Sequence, residues 1–198
     1  MMGGGFCTIG HSNRDLGAFV DILRQAEVKT VADVRSFPRS RSNPAFNIDT
    51  LPDALARHQI GYCQFPDLGG RRKVQQDVPD TVNALWRNRS FHNYADYALS
   101  ASFDRALRDL VDLGQRGLVA IMCSEAVWWR CHRRIITDYL LLRGFEVTHL
   151  MGAGRNESAR LTTGAEPGPD DKLVYPASGA PGASVSRCDG SPMRRARS

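Results

Sequence analysis

No stretch of this 198-residue chain approaches the roughly 20 apolar residues that a membrane-spanning helix needs. That excludes a helical membrane protein. The opening Met1-Met2-Gly3-Gly4-Gly5-Phe6 lacks both the basic region and the apolar core of a signal peptide, so the expected compartment is the cytoplasm. A disulfide framework is missing too: five cysteines at irregular spacings, without an export signal, read as reduced thiols. There is no phosphate loop, and Gly152-Ala153-Gly154 lacks the rest of a dinucleotide fingerprint. The spacing of Cys123, Cys131 and His132 matches none of the usual structural-zinc patterns, so no metal is expected and no cofactor is implied.

Excess charge is scarce once its position is considered. The net charge is +5, but Arg187, Arg194, Arg195 and Arg197 against Asp189 place +3 of it at the C-terminal end. The body is therefore close to neutral, and pI gives little support to a nucleic-acid partner. Apolar and charged fractions of 42% and 24% are those of an ordinary globular domain, and the length suits one domain rather than two. The expected organisation is a flexible start (1–5), one domain (6–176) and a disordered basic tail (177–198).

The strongest signal is the apolar run Leu118-Val119-Ala120-Ile121-Met122, which ends abruptly at Cys123-Ser124-Glu125. Apolar residues on both sides of the pleat fit a central parallel strand covered on both faces. After a loop containing Trp128 and Trp129, the residues Cys131-His132-Arg133-Arg134 open an apolar-periodic segment ending at Arg143-Gly144. Other strands are expected at 6–9, 30–34, 61–65 and 146–150, with an edge strand at 173–175. Helices are expected at about 16–23, capped by Ser12 or Asn13, and at 49–58, 91–99, 103–113 (capped by Ser102) and 129–143. Residues 74–90 lack a clear period and read as an insertion or flap. Strands alternating with helices predict an α/β fold: a single domain with a mainly parallel sheet of about five strands and helices on both faces.

In that layout four polar clusters leave the C-terminal edge of the sheet, where open α/β sheets bind ligands. They are His11-Ser12, Asp33 to Arg35, Asp67 to Arg71 including Gly69 and Gly70, and Cys123 to Glu125. Cys123, between a buried strand and a helix start, is the candidate thiolate, with Arg130 or Arg133 nearby; its competing reading is a small buried core residue. His132 and Glu125 are candidate acid–base groups, with His11 and Asp33 also in the catalytic set. Arg35, Arg39, Arg71 and Arg133 are candidate anion binders, with Ser12 and Cys131 beside them. Asp33 can equally pair with Arg35 or orient His11. Tyr94 and Trp129 are candidate contacts to a planar substrate, or else core and rim aromatics.

Several segments in fixed order also resemble one family. They are Thr8-Ile9-Gly10-His11-Ser12, Asp33-Val34-Arg35-Ser36-Phe37-Pro38-Arg39-Ser40, Leu68-Gly69-Gly70, Phe91 to Tyr97, Met122-Cys123-Ser124-Glu125, Cys131-His132-Arg133 and His149-Leu150. From about residue 6 to 176 the chain resembles the bacterial and archaeal family called domain of unknown function 488, whose name implies no activity. It departs from that family at Ala159-Arg160, where such proteins usually carry a histidine before Leu161-Thr162. A weaker likeness to rhodanese-type and cysteine-phosphatase domains rests on the Asp-x-Arg strand end and the strand-Cys-loop-helix. It stops at the loop, where Glu125, Trp128 and Trp129 stand and no glycine follows Cys123.

Three function classes fit these residues. The first is an intracellular enzyme acting on a small anionic or nucleotide-like substrate, a thiol-dependent transferase or hydrolase with no cofactor implied. The second is a non-catalytic nucleotide or nucleic-acid binder. The third is a structural domain with a buried polar network.

Overall fold

The computed structural model describes residues 5–177; the expectations for the chain's first four residues and for the basic tail from 178 onward fall outside them. Six strands form the main sheet: β1 (Phe6–Gly10), β2 (Thr30–Asp33), β3 (Gly61–Gln64), β4 (Val119–Cys123), β5 (Val147–Gly152) and β6 (Arg155–Ser158), in the order β3-β2-β4-β1-β5-β6. All pairings are parallel except β5 with β6. The helices are α1 (Leu16–Gln25), α2 (Leu51–Ala56), α3 (Arg89–Ala98), α4 (Ala101–Gly114) and α5 (Arg133–Leu142). The expected α/β architecture is therefore observed, with one antiparallel edge strand more than expected. Residues Arg155–Ser158 are all exposed, so β6 carries no apolar period by which to be recognised.

Strand β4 is fully buried and alternates between two cores. Val119, Ile121 and Cys123 face the layer built by α3, α4 and α5, while Ala120 and Met122 face α1 and α2. This explains why the sequence is apolar on every residue rather than every second one. The crossover from β1 leads toward one edge of the sheet and that from β4 toward the other, β1 and β4 being neighbours. The chain thus departs in opposite directions from their C-terminal ends, and the crevice opens beside this point, over the ends of β2 and β4.

Local capping corrects several boundaries. Asp15, not Ser12 or Asn13, caps α1, its Oδ1 accepting from the Ala18 N–H at 2.8 Å. Ser100, not Ser102, caps α4. Helix α5 starts at Arg133 rather than near Trp129, because Trp128–Arg130 closes a separate 3-10 turn and Cys131 is extended. Leu173–Val174 (β8) does not join the main sheet; it pairs with Glu166–Pro167 (β7) in a two-stranded ribbon.

The segment read as a flap has no helix or strand before α3, but its later part is anchored. Asn83, fully buried, donates to Asp96 Oδ1 at 2.8 Å and accepts from the Tyr175 N–H at 3.0 Å. Trp86 stacks on Phe91. Ala159, at the departure from the family pattern, packs against the α3–α5 core and lines no part of the crevice.

Gly10 fixes how closely the loop after β4 crosses β1. A Cβ there would fall on the carbonyl oxygen of Glu125, a backbone atom that cannot swing away. Gly10→Ala is expected to destabilise the fold by about 1–3 kcal/mol through this overpacking, read from the urea midpoint, with Gly17→Ala on exposed α1 surface as the mild control.

Candidate functional site: a buried arginine and two thiols

The crevice, about 300 Å³, is lined by the ends of β2 and β4, the loop after β3, the start of α3 and the loop 124–132. Of the expected site residues, Arg35, Gly70, Arg71, Cys123, Glu125, Cys131 and His132 reach it. Three of the four polar clusters therefore meet there. The fourth, His11-Ser12, lies one layer behind.

That layer is a closed polar network. Asp33, fully buried, accepts from Arg35 Nε at 2.9 Å, Arg35 Nη2 at 2.6 Å and the Tyr62 hydroxyl at 2.7 Å. Arg35 Nη2 also donates to the Phe46 carbonyl, and Arg35 Nη1 lies 3.2 Å from His11 Nε2. Arginine can only donate, so His11 Nε2 accepts and its Nδ1–H donates to the Ser12 carbonyl at 2.9 Å. Burial holds the His11 pKa down at about 4, with the Arg35 charge adding to the effect, and its ring stacks on Phe46. His11 is thus neutral with both nitrogens engaged. His11 and Asp33 position Arg35 and have no open face toward a substrate.

Other expected contacts are placed elsewhere for visible reasons. Arg39 pairs with Asp49 on the surface, outside the crevice. Ser12 takes a positive φ in the turn after β1 and lines no part of it. Trp129 is 45% exposed and lies off the crevice, whereas Trp128 stacks on His149 at 4.2 Å and pins the loop. Tyr94 is completely buried; its hydroxyl donates to the Leu68 carbonyl at 2.7 Å and its ring lies against His132. Gly69 packs tightly on Ser36, and Gly70 on the His132 ring, where a Cβ would overlap Nδ1. Missed by sequence reading were Ser36, Phe37, Ser90 and Phe91 as lining residues, while Ser124 and Arg130, named there beside Cys123, do line the crevice. For Ser90 and Phe91 the aperiodic stretch before α3 hid the approach; Arg130 sat in view beside Cys131.

The decisive group is Arg133. Its side chain is 1% exposed, and no carboxylate of the described residues pairs with it. Its Nε donates to Cys131 Sγ at 3.2 Å and its Nη2 to the Glu125 carbonyl at 2.6 Å. A buried guanidinium needs a compensating anion, and the sulfur of Cys131 is the ionisable group it touches. Burial by itself would push the Cys131 thiol up; the Cys123 S–H and the Arg133 charge outweigh it and bring the pKa down to about 6. Cys123 moves the other way, to about 12, because it shares its proton with Cys131 and is buried. The charge-stabilising contacts thus fall on Cys131, not on Cys123 where the strand-end position had suggested a thiolate.

His132 completes the group. Its Nε2 lies 2.9 Å from the Val34 carbonyl and must donate there, which leaves the Nδ1 lone pair facing Cys131 Sγ at 3.5 Å. The sulfurs of Cys123 and Cys131 and a ring nitrogen of His132 all lie within 4.8 Å of one another. The fold thereby gathers three soft donors that sequence spacing kept apart, and they are the residues able to hold a thiophilic ion. Of the other strand cysteines, Cys63 in β3 is half-buried away from the crevice, and Cys7 in β1 is on the opposite face of the sheet, where burial pushes its thiol up to about 12.

An open parallel α/β sheet with a thiol–imidazole–guanidinium group at its C-terminal edge defines the class of this protein. The family model for domain of unknown function DUF488 matches residues 15–140, well over half of the chain, and the protein belongs to that family. No curated protein and no solved structure matches it.

The ion pair makes a quantitative prediction. Cys131→Ala strands a buried guanidinium and is expected to cost about 3–5 kcal/mol of stability. Combining it with Arg133→Met should recover part of that loss, so a urea-denaturation double-mutant cycle is expected to show coupling above about 1 kcal/mol. Additive losses would contradict an ionised Cys131.

Proposed function

We propose that this protein is a thiol-dependent enzyme acting on a small anionic substrate, with Cys131 as the nucleophile. One observation carries the reading: the fully buried Arg133 has Cys131 Sγ as its ionisable partner, at the floor of an open crevice. The sulfur also precedes the first turn of α5, where the helix dipole favours negative charge. Nucleophilic catalysis by cysteine requires such a stabilised thiolate with a base in reach, and His132 Nδ1 stands at 3.5 Å.

The walls suit an anion. Arg71 and Arg130 are exposed at the rim, Ser36, Ser90 and Ser124 offer hydroxyls, and Arg35, fixed from behind, borders the floor. Phe37, 67% exposed with the Arg71 guanidinium 5.3 Å from its ring centre, gives a planar group somewhere to stack, which favours nucleotide-like substrates among anions. In the reaction, Cys131 sulfur bonds to the electrophilic atom as the bond to the leaving group breaks. The leaving group takes a proton from the Cys123 thiol, which His132 Nδ1 is placed to exchange with water. Water then releases the bound fragment, with Glu125 placed to take its proton.

Alkylation against pH, followed residue by residue by mass spectrometry, tests this. Thiolate is the reactive form and forms as pH rises through the pKa, so Cys131 modification is expected to be half-maximal near pH 6. It should be flat by pH 8, where an ordinary cysteine of pKa about 8.5 is still climbing. Cys123 and Cys7 are expected to resist. A Cys131 that is unreactive until the protein unfolds would end the proposal. Phosphate or a nucleoside monophosphate should slow Cys131 alkylation, and Arg71→Ala with Arg130→Ala should remove that protection while leaving the pH midpoint in place.

A further inference from the structure

The two thiols on the crevice floor differ in character, and an oxidation cycle depends on that difference. Cys131 Sγ is held by the Arg133 guanidinium at a helix start. Cys123 Sγ, at the end of β4, has a hydroxyl of Ser124 beside it at 3.9 Å and no cation in hydrogen-bond contact. Their sulfurs lie within 4.8 Å of each other, and both border the same opening. A sulfur in contact with a guanidinium, next to a second thiol and open to a small oxidant, is the arrangement in which a sulfenic acid forms and is then resolved. Cys131 joins the 3-10 turn to α5, its N–H donating to the Trp128 carbonyl at 3.1 Å and its carbonyl accepting from the Arg134 N–H at 2.9 Å, so its sulfur is held at a fixed place on the crevice floor.

We propose, resting on the reading of Cys131 as the nucleophile, that Cys131 and Cys123 form a hydroperoxide-reducing pair, Cys131, the sulfur in contact with Arg133, attacking and Cys123 resolving. The Cys131 thiolate attacks the terminal oxygen of a hydroperoxide. An S–O bond forms, the O–O bond breaks, sulfur is oxidised to sulfenic acid, and the departing alkoxide takes one proton from solvent. Cys123 then attacks the Cys131 sulfur. An S–S bond forms, the S–O bond breaks, and hydroxide leaves as water with the Cys123 proton, for which His132 Nδ1 is the adjacent relay. One hydroperoxide and two thiols thus give one alcohol, one water and one disulfide. The disulfide leaves Arg133 without its anion, so it is a strained product that a dithiol reductant returns readily.

The test uses the full chain, reduced and treated with chelator, then exposed to hydrogen peroxide at neutral pH and mapped by intact-mass and peptide mass spectrometry. Wild type is expected to gain a Cys123–Cys131 cross-link that dithiothreitol reverses. Cys123→Ser should stop at a Cys131 sulfenic acid captured by dimedone. Cys131→Ser should neither cross-link nor consume peroxide, leaving Cys123 reduced. Followed at pH 5, where the thiolate fraction falls about tenfold per unit of thiol pKa, Arg133→Met should slow oxidation about tenfold and Arg133→Lys should restore much of it, which a purely structural role would not produce. Three results would overturn the pair: oxidation that persists in Cys131→Ser, over-oxidation of Cys131 without any cross-link, or one tightly bound zinc that protects both thiols as the protein is purified. If Cys131 alkylates with a midpoint near pH 6 but forms no cross-link, the pair fails and the nucleophile stands. If Cys131 does not alkylate in the folded protein, both fail.

Discussion

A positive charge that cannot leave the interior governs this site. Arg133 is placed by the first turn of α5, whose neighbours Ile135, Ile136 and Tyr139 are committed to the core, so its side chain has no route to water. Sequestering a guanidinium is tolerable only with good hydrogen bonds and an opposing charge. The Glu125 carbonyl supplies one and Cys131 the other. Folding of α5 against the sheet therefore brings the guanidinium and the Cys131 sulfur into contact in one event. Burial would push the Cys131 thiol up, and the guanidinium carried by the helix that follows it acts in the opposite direction.

The second buried arginine makes a useful contrast. Arg35 has a true carboxylate partner in Asp33, with Tyr62, Phe46 and His11 completing its shell. That network rigidifies the ends of β1, β2 and β3 and holds Arg35 fixed where it borders the crevice. Two guanidiniums of similar burial thus divide the labour, one closing a structural knot and the other polarising a sulfur. Their difference lies in the partner, not in the depth.

Much of the fold was legible because the physics behind it is local. Strand β4 announces itself by being apolar on both faces, and its abrupt end at Cys123-Ser124-Glu125 marks the sheet edge. The convergence of three polar clusters follows from strand order and handedness. Which cysteine carries charge did not follow, because it depends on Arg133 turning back two residues to Cys131, a side-chain direction that no periodicity encodes. His11 looked catalytic by position and proved spoken for by Arg35 and Ser12. Strand β6 was invisible for the opposite reason: a wholly polar edge strand is specified by its pairing with β5, not by burial.

The loop from Ser124 to His132 has unusually many fixed points. Its Glu125 carbonyl sits over Gly10 and on Arg133, Trp128 is stacked face to face on His149, and His132 is tied to Val34. His149 is in turn anchored on Thr8 of β1. Such a loop has already given up its conformational freedom when the domain folds. A ligand entering the crevice then meets a rigid receptor and loses little affinity to ordering it, so even a substrate of a few heavy atoms can be held in register with the sulfur.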